Sequence, residues 1–278
     1  MATSKIISPQ WQAWLQENLA RGCDHESILQ AMEQRDFTRK DAQELIQRFS
    51  THDGEEFIYG TPIFESAEST LNIAGHVIEL RLRLAQPRIV VFDQVLSALE
   101  CDELIRLSKV KLSRSTIVDP ITGREEIIRD RSSSGTFFNI NENAFIASLD
   151  QRVSQLMQLP VENGEGLQIL NYQVGGEYKP HFDFFPPTDA GSAHHLSMGG
   201  QRVSTLVIYL NEPTQGGETS FPEVGLSVVP KKGSAVYFEY TNPQGQVDRL
   251  SLHAGEPVRS GEKWIATKWM RQGKYGNV

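Results

Sequence analysis

In the stretch NYQVGGEYKPHFDFFPP, a histidine and an aspartate, His181 and Asp183, stand two residues apart among aromatic side chains. Side chains on a strand alternate between faces, so these two project the same way. An imidazole and a carboxylate aimed at one point suit a metal ion, although a bare H-x-D also describes a core histidine beside a turn aspartate. Further along, SLHAGEPVRSGEKWIATKW supplies a third candidate ligand, His253, from a later strand. Two histidines and one carboxylate on one side of an Fe(II) ion leave adjacent coordination positions open for a bidentate cosubstrate and for dioxygen. Beyond a turn containing Gly255, Pro257 and Gly261 comes Lys263, and the residues Lys263, Ile265, Thr267 and Trp269 share one strand face. A hairpin would return Lys263 to the cavity of His253, where a buried ammonium requires an anion.

The elements that must position these residues are legible from periodicity. From Gly166 onward strand patterns dominate: LQILNYQV, RVSTLVIYLN, GLSVVP, SAVYFEY, RLSLHAG and KWIATKWM, separated by turns such as NPQG and RSGE. Many short strands with closely spaced turns predict a sandwich or a jelly roll, which can hold a ligand between its sheets. In GGETSFP the glycines supply positive φ for a hairpin that Glu218 serves. The polar loop PTDAGSAHHLSMGGQ carries His194 and His195, an adjacent pair of the kind usually exposed, in a loop that has the makings of a substrate lid.

Upstream, HVIELRLRLAQ alternates Ile78, Leu80, Leu82 and Leu84 with polar residues, a strand with one wet face, and RIVVFDQVL reads as a more buried strand. A helix begins at Ser97 with a capping box to Glu100, and a second carries Phe145, Leu149, Val153 and Leu156 and stops before Pro160. Both are expected on one face of a sheet. Between Ser8 and Phe49, apolar residues recur at helical spacing in three groups, with Asp24 as an N-cap and Thr38 with Asp41 as a start signal. The chain is therefore expected to hold a three-helix module over 1–50, a linker over 51–75 and a jelly-roll domain over 76–278. The fold class is α+β with a small all-α module in front. The module resembles ubiquitin-associated-like three-helix domains, without a diagnostic motif; a structural appendage is the other reading.

The chain has 278 residues, 27 basic against 35 acidic side chains and a formal charge of -8, with no basic cluster, which disfavours a nucleic-acid partner. No run of about 18 apolar residues is present to span a membrane. The opening residues lack the basic-then-apolar pattern of a secretory leader, so a cytoplasmic location is expected. The two cysteines, Cys23 and Cys101, fit no C-x-x-C pattern, which leaves nitrogen and oxygen donors for any metal.

Taken in order, VFDQVLS, RSSSGTFF, YQVGGEYKPHFDFF, RVSTLVIYLNEPTQGGETSFP, KKGSAVYF and SLHAGEPVRSGEKWIATKWMR resemble the prolyl 4-hydroxylase family of Fe(II)- and 2-oxoglutarate-dependent dioxygenases. The resemblance runs from about Pro87 to Arg271 and implies a double-stranded β-helix. It implies that His181, Asp183 and His253 bind iron and that Lys263 takes the distal carboxylate of 2-oxoglutarate. Tyr172 and Thr205 would line the cosubstrate pocket, and Tyr178, Arg202 and Trp269 would stand near the substrate. The implied cofactors are Fe(II), 2-oxoglutarate and O2, with ascorbate as reductant. The implied reaction couples decarboxylation of 2-oxoglutarate, to succinate and CO2, with hydroxylation of a prolyl C–H bond in a peptide or protein. A free amino acid or small metabolite remains an alternative substrate, as does a non-catalytic protein that senses 2-oxoglutarate or oxygen. Oligomeric state is not encoded in any of these motifs.

Overall fold

The computed structural model describes residues 8–20, 23–35, 37–49, 57–60, 68–114, 117–118, 125–126, 132–186 and 191–276. The chain divides into two compact units, Met1–Ile58 and Tyr59–Val278.

The first unit has the three expected helices, α1 (Pro9–Ala20), α2 (His25–Glu33) and α3 (Arg39–Phe49). Asp24 caps α2 by accepting the Ser27 N–H at 3.0 Å, and Thr38 accepts the Asp41 N–H at 3.1 Å. Leu15, Ile28, Leu29, Met32, Leu45 and Ile46 form the unit's own core. Trp11 packs edge-on against both Trp14 and Phe37, at 5.0 and 4.9 Å between ring centres. The side chain of Phe49 lies outside the described residues, as do Gly22, which the sequence marks as the expected end of the first helix, and much of the expected linker.

The second unit begins its sheet earlier than the periodicity indicates. Strand β1 (Thr70–Ile73) pairs with β2 (His76–Leu84), so the predicted domain start at residue 76 is corrected to include this hairpin. Its two-residue turn has Ala74 at φ 51 and Gly75 at φ 79, the double positive φ of a tight hairpin. Four residues, TLNI, are too few for an alternation to register, and only the partner strand makes them one. In β2 itself a register shift between Leu80 and Leu82 breaks the alternation, which leaves Leu82 37% exposed while Ile78 is fully buried.

The remaining strands are β3 (Ile89–Asp93), β4 (Ser113–Arg114), β5 (Ile117–Val118), β6 (Glu125–Glu126), β7 (Ser134–Phe138), β8 (Leu167–Tyr172), β9 (Tyr178–His181), β10 (Arg202–Tyr209), β11 (Gln215–Gly216), β12 (Thr219–Phe221), β13 (Leu226–Val228), β14 (Ala235–Glu239), β15 (His253–Gly255), β16 (Val258–Ser260) and β17 (Lys263–Arg271). A nine-stranded sheet runs β1-β2-β3-β14-β10-β17-β8-β7-β4, and a four-stranded sheet runs β13-β12-β15-β9. Helices α4 (Ala98–Lys109) and α5 (Ala144–Met157) follow the expected positions. Ser97 and Glu100 close the capping box at the start of α4.

Alternation along the large sheet separates two cores. Leu206, Ile208, Tyr237 and Ala266 join Leu104, Leu149 and Val153 on the helix side, whereas Val207, Tyr209, Phe238 and Ile265 join Phe221, Val228 and Val258 toward the small sheet. This explains why β17 is buried at every position: it is covered on both faces. On the helix side its Lys268 pairs with Asp150 at 2.8 Å. Two predicted segments differ. Arg249–Ser251 form a 3-10 turn rather than the start of a strand, with Asp248 accepting the Leu250 N–H. Part of the expected histidine loop is a short helix, α6 (Ser192–Ser197); its first residues, Pro187 to Ala190, lie outside the described residues.

Candidate metal centre and its cleft

His181 ends β9, and its register partner on β15 is His253, so strand pairing alone sets the two imidazoles side by side. Asp183 follows two residues later. His181 Nε2 lies 3.7 Å from Asp183 Oδ1, and His253 Nε2 lies 3.6 Å from Asp183 Oδ2. One donor atom from each of the three falls within 4.8 Å of the others, and this is the one such cluster found among the described residues. The Nδ1 of His181 is 2.8 Å from the Lys179 carbonyl, and that of His253 is 3.0 Å from the Ser251 carbonyl. A carbonyl accepts only, so each ring donates from Nδ1 and turns its Nε2 toward the common point. Two imidazoles and a carboxylate form the donor set of a non-haem Fe(II) site, and the residues fit that ion.

Burial pushes the Asp183 carboxyl upward, but His253, His181, Arg202 and a hydrogen bond from Thr205 together hold it below the usual range, so it stands ionised. Thr205 is placed differently from expectation. It is fully buried and does not line the cleft; its Oγ1 donates to Asp183 Oδ2 at 2.6 Å and lies 3.0 Å from the Tyr240 hydroxyl. With Asp183 ionised, the Thr205 proton is committed to the carboxylate and Tyr240 must donate to Thr205. Phe238, at 4.5 Å between ring centres, and Phe221 wall the far side of His253. Tyr178 stacks on His181 at 3.5 Å.

These residues open into a cleft of about 800 Å³ that also takes in Tyr172, Lys263, Ile265, Thr267, Trp269 and Arg202. Lys263 and Tyr172 are register partners on β17 and β8. Lys263 is 2% exposed, and among the described residues no carboxylate lies within ion-pair distance of its ammonium. The rings of Tyr172 and Tyr209 stand 5.6 and 5.8 Å from it. Burial pushes it down to about 8, with Glu218 and Glu256 restoring part of the charge. Gly217, at φ +78, brings its backbone close to the lysine stem: a Cβ there would meet Lys263 Cδ at 3.2 Å. The glycines therefore supply the positive φ expected of the turn and, in addition, the room that the lysine occupies.

The cleft lining also holds a charged network. Glu165 accepts from Arg202 at 2.6 and 2.8 Å and from Arg271 at 2.6 Å, and the Arg202 guanidinium lies 4.1 Å over Trp269 and 4.8 Å over Phe185. Burial disfavours the Glu165 charge, yet the two arginines hold its carboxyl below the ordinary range. Trp269 Nε1 is buried without a hydrogen-bond partner among the described residues. His195 stacks on Phe185 at 5.0 Å, and His194 is exposed; neither joins the triad. Sequence reasoning missed Glu165, Arg271 and Tyr240. Arg271 continues the Lys263-to-Trp269 face by one step, and Tyr240 continues that of Phe238, so alternation alone points to both; Glu165 sits between glycines before β8 and carries no pattern.

Residues 167–271 match the 2OG-Fe(II) oxygenase superfamily. The chain is 40% identical over 203 residues to prolyl 4-hydroxylase 5 of Arabidopsis thaliana, covering 66% of this chain and 68% of that protein. It is 38% identical over 187 residues to the human prolyl 4-hydroxylase subunit alpha-1, covering 67% of this chain and 35% of the subunit. Among solved structures, a viral collagen prolyl hydroxylase from Paramecium bursaria Chlorella virus-1, determined as its 2-oxoglutarate complex, aligns at a TM-score of 0.52 and 30% identity over 65% of this chain and 94% of that one.

Proposed function

Because the chain belongs to the prolyl 4-hydroxylase family of 2-oxoglutarate- and Fe(II)-dependent oxygenases, we propose that it hydroxylates a prolyl residue of a peptide or protein, with His181, Asp183 and His253 as the iron ligands and Lys263 as the anchor of 2-oxoglutarate. The observation that carries this reading is the pairing, in one cleft, of a converging His-Asp-His set with a buried ammonium that has no carboxylate partner among the described residues. When bound, the iron and 2-oxoglutarate supply oxidative chemistry that yields succinate and CO2 and places one oxygen atom on a substrate C–H bond.

The protein's own residues prepare the site. The Lys179 and Ser251 carbonyls orient the two imidazoles. Thr205, assisted by Tyr240, holds one oxygen of Asp183 and leaves the other for the metal, a positioning role instead of contact with the cosubstrate. Lys263 offers a desolvated cation to the distal carboxylate, and Tyr172 lies across the register from it. Tyr178, stacked on His181, and Arg202 with Trp269 line the same cleft and are the side chains proposed to meet a substrate. Phe137 and Phe182, 51% and 36% exposed, add an apolar rim of the kind a prolyl ring packs on. Ascorbate is the reductant expected to sustain turnover.

The test is succinate formation from 2-oxoglutarate with Fe(II) and ascorbate, in the presence of proline-rich peptides, free proline or no substrate. Peptides should raise the rate well above the other two conditions. Stimulation by free proline alone would favour a small-molecule substrate, and no succinate under any condition would favour a binding protein.

A further inference from the structure

The helix-side face of the large sheet carries a second cavity. Strand alternation sends Thr205 and Tyr240 to the metal side and Ser204, Tyr237, Glu239 and Thr241 to the other. There, beside the end of α5 at Gln158 and Leu159, they line a cleft of about 430 Å³, large enough for a small organic molecule. Ser204 and Thr241 are 1% and 2% exposed, yet their hydroxyls have no hydrogen-bond partner among the described residues. A buried hydroxyl left unmatched costs roughly 1–3 kcal/mol, a penalty that alanine or valine would avoid. Two such groups on one cavity wall are what a polar ligand would satisfy.

The lining also selects by charge. It includes one carboxylate, Glu239, which is 3% exposed and accepts the Gly60 N–H at 2.6 Å and the Tyr237 hydroxyl at 3.4 Å. Among the described lining residues there is no lysine, arginine or histidine. An anion such as 2-oxoglutarate or ascorbate therefore finds a carboxylate and no cation among the described lining residues, the reverse of the Lys263 pocket. Two hydroxyl oxygens and a carboxylate are three acceptors, which suits the three donors of an ammonium group. Leu159, Val203 and Pro243 offer apolar contact to the rest of such a molecule.

We propose that this cleft is a second ligand site, for a small organic ammonium compound held by Ser204, Thr241 and Glu239. Its occupant would sit one residue along the chain from Thr205 and Tyr240, the pair that holds Asp183.

The experiment titrates the full chain with ethanolamine while following backbone amide resonances, with acetate at equal ionic strength as the control. Saturable shifts at Ser204 and Thr241 are expected with ethanolamine and not with acetate. Thr241→Val and Ser204→Ala should each weaken the ethanolamine constant at least tenfold while succinate formation stays at the parent rate, and either variant suffices should the other fail to fold. The proposal is overturned by the absence of saturable shifts, by equal shifts with acetate, or by a constant unchanged in the variants.

Discussion

Lys263 is the single side chain whose charge state most affects the proposed chemistry. Its ammonium titrates near 8 in the ligand-free pocket, because burial outweighs the help of Glu218 and Glu256. A dicarboxylate binds the protonated form, so the dissociation constant for 2-oxoglutarate should be level below pH 8 and rise by about tenfold per pH unit above it. Calorimetric titration at several pH values checks this. Lys263→Ala should remove the slope and weaken binding by about 100-fold at neutral pH, with iron affinity little changed. The same depressed value has a stability consequence of definite sign. An exposed lysine keeps its proton to about pH 10.4, so between the two values the unfolded chain binds more protons and the ligand-free fold gains stability as pH rises. Asp183→Ala should abolish turnover and metal binding while circular dichroism stays unchanged. Thr205→Val should weaken iron by about 10- to 100-fold, as loss of a group that orients a ligand does, and leave the 2-oxoglutarate constant near its parent value. Equal loss of both would return Thr205 to the cosubstrate pocket. The triad is readable in the sequence because H-x-D places two donors side by side in the chain, although β9 ends at His181 and Asp183 lies in a bend beyond it, so the turn and not strand alternation aims the carboxylate. The role of Thr205 is not, because a face assignment does not say which neighbour claims a hydroxyl.

Among the elements, those with strong local signals coincide with the sequence reading and those made by pairing do not. The α4 capping box is entirely local, and Ser97→Ala should cost about 1 kcal/mol in denaturant unfolding without altering metal affinity. By contrast, β1 is four residues long and exists through β2, and the 3-10 turn at Arg249–Ser251 is set by Asp248. The helix α6 has six residues, too few for a periodicity to show. Even a strong alternation can mislead over part of its length. The register shift in β2 leaves Leu82 exposed while Arg81 reaches Asp93 at 2.8 Å, an outcome fixed by the neighbouring strand.

For the whole molecule, the helical unit has its own core, separate from those of the sheet unit, and each is expected to fold without the other. A chain starting at Tyr59 should keep its thermal transition and 2-oxoglutarate turnover, because Tyr59 binds Asp248 and Gly60 binds Glu239 within the sheet unit. A start near Gly75 would remove those ties along with β1. If the helical unit recruits a protein substrate, the shortened chain should lose rate on that substrate and keep its rate on short peptides. If it is a structural appendage, both rates should hold. The proposed reaction transfers oxygen to a prolyl residue. It is tested most directly by mass spectrometry of a proline-rich peptide library incubated with the protein, Fe(II), 2-oxoglutarate, ascorbate and isotopically labelled dioxygen. One labelled oxygen atom per modified prolyl residue is expected, matched mole for mole by succinate and absent with His253→Ala. Succinate without label in any peptide, or label confined to residues other than proline, would contradict the proposed reaction.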